Sequence, residues 1–163
     1  MDIVKIKPQD AQKFLNLLLQ LDKETKFMMF EPDERKMSAE QLENLLGSGE
    51  ESGIFSGIQK GNEIVGFISV KRGIPNRMKH TAYIATGILQ EYVGKGLGKK
   101  LIKEAEKWAL KYGVTRLELT VNEKNERAIA LYEKMGFHKE GLKEHAMKID
   151  GEYVNEYYMS KFL

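Results

Sequence analysis

The sequence predicts one domain of the α/β (α+β) class: a central mixed, mostly antiparallel sheet of about seven strands, flanked by about four helices. Three observations carry that prediction. Apolar residues recur by turns at period two and at period 3.6, with no linker, repeat or low-complexity stretch between them. Two dipeptides, Gly61-Asn62 and Asp150-Gly151, each sit between alternating runs, as hairpin turns do. The 163 residues suffice for one core burying roughly 70% of the surface an unfolded chain exposes, so a single domain spanning 1–163 is expected.

The elements follow in order. IVKI is a short strand ended by Pro8, and residues 10–21 place Phe14, Leu17, Leu18 and Leu21 on one helical face. Ser38 to Gln41 (SAEQ) is a capping box opening a helix over Leu42, Leu45 and Leu46, closed by Gly47. IFSGIQKGNEIVGFISV is a hairpin whose Gly61-Asn62 pair suits a type II′ turn. A connection containing Pro75 leads to a strand at about 81–89. Leu97, Leu101, Ala105, Trp108 and Tyr112 recur at helical spacing until Gly113. TRLELTV alternates, with Leu117, Leu119 and Val121 on one face, and Asn125 caps a further helix to Met135, stopped by Gly136. The tail is two strands about Asp150-Gly151, a type I′ signal.

Composition excludes several classes of function. With no cysteine there are no disulfides, no thiolate metal ligands and no thiol nucleophile. His80, His138 and His145 show no metal-ligand spacing, so no metal site is expected. A net charge of +2, with aromatics not interleaved among the basic residues, points away from nucleic acid. No apolar run reaches the roughly 20 residues a membrane span needs. The opening MDIVKIKPQD lacks a leader's apolar core, so the cytoplasm is the expected compartment. Charge is uneven. Residues 94–116 carry seven basic side chains against Glu104 and Glu106, whereas 31–51 carry seven acids against Arg35 and Lys36. The acidic stretch is either a solvated face or a lure for a cationic ligand.

The most informative segment is QEYVGKGLGKKLIKEAEKWA, residues 90–109, where Gly94, Gly96 and Gly98 open a helix. A strand entering such a turn aims successive N–H groups at one spot, where the helix dipole adds positive charge. This is a phosphate cradle, and Lys99 and Lys100 follow it. The Walker pattern fails, because its first glycine would fall at Val93 and its hydroxyl at Lys100. The dinucleotide fingerprint fails on its G-x-G-x-G spacing. There is also no G-x-S-x-G elbow and no H-E-x-x-H pair.

These residues resemble the GNAT superfamily of acetyl-CoA-dependent N-acetyltransferases, whose cofactor motif reads Arg/Gln-x-x-Gly-x-Gly/Ala. VGKGLG, residues 93–98, matches both glycines at Gly96 and Gly98, with Val93 in place of the usual Arg or Gln. A second signature, an asparagine followed by a helix ending Leu-Tyr-x-x-x-Gly-Phe, matches NERAIALYEKMGF, residues 125–137. The element order along the whole chain is similar too.

The resemblance implies that the pyrophosphate of acetyl-CoA rests on N–H groups of Val93, Gly94, Lys95, Gly96, Leu97, Gly98 and Lys99. It implies that the pantetheine arm lies along Gly87, Ile88 and Leu89, with an N–H at that strand's end polarising the thioester carbonyl. Asn125 would cap its helix and touch the arm, and Tyr132 would be the general acid for the departing thiolate. Glu118 resembles the acid that some members use as base, or else it pairs with Arg116 two residues earlier. Met28, Met29 and Phe30 fall where the acceptor pocket commonly lies. The acceptor implied is a small-molecule or peptide amine, and a homodimer is compatible with the resemblance. The tail EGLKEHAMKIDGEYVNEYYM is similar to that of members acetylating amino acids, amines or protein amino groups. Two alternatives stay open: a coenzyme A sensor without turnover, and a dinucleotide-dependent enzyme.

Overall fold

Both hairpins form as their dipeptides require. In the computed structural model, which describes all of residues 1–163, Lys60 pairs with Glu63 and Ile149 with Glu152, leaving two-residue turns. Asp150 and Gly151 both have positive φ, 51° and 81°, the type I′ pattern, whereas at the first turn only Gly61 does. The strands are β1 (Asp2–Lys5), β2 (Gly53–Lys60), β3 (Glu63–Arg72), β4 (Thr81–Ile88), β5 (Arg116–Asn122), β6 (His138–Ile149) and β7 (Glu152–Phe162). The helices are α1 (Ala11–Glu24), α2 (Ala39–Leu46), α3 (Leu97–Lys111) and α4 (Glu126–Lys134). No helix is long and apolar enough to cross a membrane.

The caps explain where the shorter helices start. Ser38 accepts the N–H of Gln41 while the Gln41 amide side chain accepts the Ser38 N–H, the reciprocal box expected for α2. Asn125 accepts the N–H of Ala128 at 3.3 Å and opens α4. Helix α1 runs three residues beyond the expected 21, to Glu24. That extension matters, because the Glu24 carboxylate accepts the N–H of Gln90 at 2.9 Å and anchors the turn leading to the glycines.

The seven strands order as β1-β2-β3-β4-β5-β7-β6, and all pair antiparallel except β4 with β5. Each face of the sheet carries a core. Phe14, Leu17, Leu18, Leu21, Leu42 and Leu46 of α1 and α2 pack with Ile64 and Phe67 on one side. On the other, Leu101, Ile102, Ala105 and Trp108 of α3 and Ile129 and Tyr132 of α4 pack with Ile68, Ile84, Leu117, Leu119 and Val121. The parallel pairing of β4 with β5 covers only residues 81–83 and 116–118. Beyond it β4 stays on β3 to Ile88, while β5 stays on β7 to Asn122. The sheet therefore opens at its centre.

Candidate active site

The opening leaves one strand edge without a partner. Leu89 N–H donates to the Val65 carbonyl at 3.0 Å and Gly73 N–H to that of Thr81 at 3.0 Å. Antiparallel pairing alternates, so residues 81, 83, 85, 87 and 89 turn their backbone groups to β3. Thr86 and Ile88 therefore turn theirs to the open side, past the last residue that β5 reaches. Of the three residues expected along a cofactor arm, Ile88 has a free N–H. Gly87 faces β3, and the Leu89 N–H is occupied. Thr86 offers the second free edge. Strand pattern alone could not find it, because which parity faces outward depends on the partner.

At the end of that edge Tyr92 and Val93 N–H groups close a tight turn on Leu89 and Gln90, at 2.8 and 3.2 Å. Val93 therefore has no N–H to offer, which corrects the expectation that the cradle begins there. From Gly94 through Lys99 no N–H meets a protein acceptor. Gly94 and Gly96 have φ of 82° and 74°, and a Cβ on either would meet nothing within 4 Å. Their glycines serve the left-handed turn and leave open space before the main chain. Gly98 differs. A Cβ there would stand 2.5 Å from Cδ2 of Leu131, so this glycine lets α3 and α4 approach.

A cleft of about 1480 Å³ joins the cradle to the split strands. Gly87, Ile88, Val93, Gly94, Gly96, Leu97, Gly98, Lys99, Asn125 and Tyr132 line it. Lys95 does not: its ammonium lies 5.1 Å from the Tyr92 ring centroid. Lys124 and Arg127 line the cleft as Lys99 does, two cations not singled out from the sequence. Their signal was their place on either side of the helix-capping Asn125, Lys124 just before it and Arg127 in the first turn of α4.

Tyr132 is 7% exposed, its ring 5.7 Å from that of Phe137. No protein group hydrogen-bonds its hydroxyl. Burial, and then the neighbouring Tyr83, push that hydroxyl above the ordinary tyrosine range, so it stays protonated and can donate. Tyr83 itself shares a 2.8 Å hydrogen bond with Thr120, and both line the cleft.

Glu118 is elsewhere. Arg116 Nε donates to it at 2.7 Å, and the same guanidinium donates twice to Glu140, at 3.2 and 2.6 Å. It does not line the cleft, so the structure follows the ion-pair alternative and not the base. The lining carboxylates are Glu126 and Glu156. Glu156 was missed because its strand was legible only as a hairpin arm. Its register opposite Asn122 of β5 carries it to the split. The acidic residues of 31–51 also stay off the cleft walls, whereas Met28, Met29 and Phe30 line them as expected.

Residues 15–137 match the family described as Acetyltransferase (GNAT) family. The spermidine N(1)-acetyltransferase of Escherichia coli is 38% identical over 92 residues, 53% of this chain and 47% of that protein. The chain thus spans about half the length of that curated relative. An acetyltransferase of the GNAT family from Streptococcus pneumoniae superposes with a TM-score of 0.93 at 29% identity, covering 99% of both chains. A Salmonella typhimurium protein described with its cofactor acetyl-CoA gives a TM-score of 0.88 at 15% identity, over 100% of this chain and 94% of the other, a likeness of fold alone.

Proposed function

The chain belongs to the acetyltransferase (GNAT) family, and from that premise we propose that it transfers an acetyl group directly from acetyl-CoA to a primary amine. The observation that carries this is the meeting of three features in one cleft: the unpaired edge of β4, the glycine turn with free N–H groups, and the neutral hydroxyl of Tyr132. The residues fit acetyl-CoA. The N–H groups of Gly94 to Lys99 receive the pyrophosphate at the start of a 15-residue helix. Lys99, Lys124 and Arg127 offset its charge, doing together what the absent arginine or glutamine at position 93 would do. The amide-bearing arm pairs with Thr86 and Ile88. Bound there, acetyl-CoA supplies an acyl group already activated as a thioester.

The rest is done by side chains of this chain. A primary amine has a pKa of about 10 and is mostly protonated at neutral pH, so a base must free its lone pair. Glu156 takes that proton. The amine nitrogen then bonds to the acyl carbon as the carbon–sulfur bond breaks. Tyr132 gives its proton to the departing sulfur, leaving an amide and free coenzyme A.

The test is direct. Calorimetry should detect binding of acetyl-CoA, and thiol release should follow when primary amines are added. A protein that binds acetyl-CoA and releases no thiol with any amine would be a sensor instead.

A further inference from the structure

The half of the cleft away from the glycine turn is walled by apolar side chains that water reaches. Phe27, Met29, Met37 and Leu45 are 46, 79, 37 and 43% exposed, and all four line it. Large apolar groups gathered on one exposed concavity mark a surface that is covered in use. Methionine suits such a wall, because its unbranched thioether adapts to the shape of what it covers.

Charge in this half is scarce. Arg35 is already matched: Nε and Nη2 donate to the buried Asp22 at 2.8 and 3.0 Å, and the guanidinium lies 4.5 Å from the Phe30 ring centroid. That leaves Lys143 and Glu156, directly opposite each other on β6 and β7, with no ion pair between them. A ligand with several cationic nitrogens would meet one carboxylate and one repelling lysine here. Each unmatched cation would lose hydration without return.

Resting on the acetyl-transfer reading above, we propose that the acceptor is a small monoamine on an apolar body, aromatic or thioether, and not a polyamine. Its amine faces Glu156, and its body covers Phe27, Met29 and Met37. The apolar body could be that of a simple arylalkylamine or of an apolar amino acid, whose carboxylate would then face Lys143.

The experiment compares phenethylamine, methionine and spermidine by thiol release, using protein first shown by calorimetry to bind acetyl-CoA. At least one apolar amine should exceed spermidine in kcat/KM by about 100-fold, the scale on which an apolar pocket discriminates. A lead for phenethylamine indicates that no carboxylate is needed, and a lead for methionine assigns that contact to Lys143. Met29→Glu with Met37→Glu should raise KM for the apolar amine roughly tenfold while leaving acetyl-CoA affinity unchanged. Spermidine equal or superior, an unchanged KM in the double variant, or no release with any of the three from protein that binds acetyl-CoA would each overturn the inference. Failure to bind acetyl-CoA would instead overturn the reading beneath it.

Discussion

Tyr132 is the residue whose chemistry and packing can be separated most cleanly. Its ring packs against Phe137 while its hydroxyl bonds no protein group. Tyr132→Phe should therefore keep the melting temperature and acetyl-CoA affinity and lower kcat by about 10² to 10⁴, the scale of a lost general acid. A stable, cofactor-binding variant with full turnover would remove Tyr132 from the mechanism. The two glutamates form the complementary pair. Glu156→Gln should lower kcat/KM roughly 10²-fold near neutral pH, and the defect should shrink as pH rises and the acceptor amine loses its own proton. Glu118→Gln should leave turnover within a few-fold of wild type, because Arg116 keeps Glu140 as a partner. At this scale Asn125 and Tyr132 were legible, since cap and signature lie within one short segment. The base was not. Alternation puts Glu118 and Arg116 on one face of the strand, but it does not say that the two pair or that the cleft begins two residues further on.

Helix α3 and the turn that leads into it hold glycines for different reasons. The spacing of the three was legible as a loop that approaches a ligand. Which of them serves the turn and which serves packing was not, because the neighbour that fills the space at Gly98 is Leu131, from a helix 33 positions later. The two roles predict opposite losses. Gly96→Asp keeps a backbone that aspartate tolerates at positive φ, yet sets a negative charge before the free N–H groups. Acetyl-CoA affinity should be lost in calorimetry, with a melting temperature close to wild type. Gly98→Val should do the reverse first, driving α3 and α4 apart at a cost of about 1–3 kcal/mol, the range for overpacking. Adding Leu131→Ala should restore part of that stability by removing the methyl group in the way. Equal loss of cofactor binding and of stability in both variants would erase the distinction.

Across the whole molecule, strand number, helix number and both hairpins were legible, because each depends on residues close in sequence. The split between β4 and β5 was not, since it follows from pairings among strands far apart in the chain. The contact that ties the first half of the chain to α3 is equally non-local. Glu50, just before β2, accepts from Lys5 of β1 and from the Tyr112 hydroxyl at 3.0 Å, with Lys111 at 3.5 Å. Its backbone carbonyl accepts Trp108 Nε1–H at 2.8 Å. The hydrogen bonds from Lys5 and then Tyr112, followed by the charges of Lys5 and Lys111, lower its pKa from 4.5 to about 2. An acid whose pKa falls on folding stabilises the native state above its unfolded value and loses that effect as pH drops through the folded one. Glu50→Gln should therefore melt below wild type at pH 7, and the gap should narrow as pH falls from 4.5 toward 2. Because the carboxylate lies at the surface, salt at about 1 M, where the screening length is near 3 Å, should narrow it as well. Paired melting curves across pH and salt decide the matter. A gap that stays constant under both would mean that the backbone bond to Trp108, which the variant keeps, holds this seam without help from the charge.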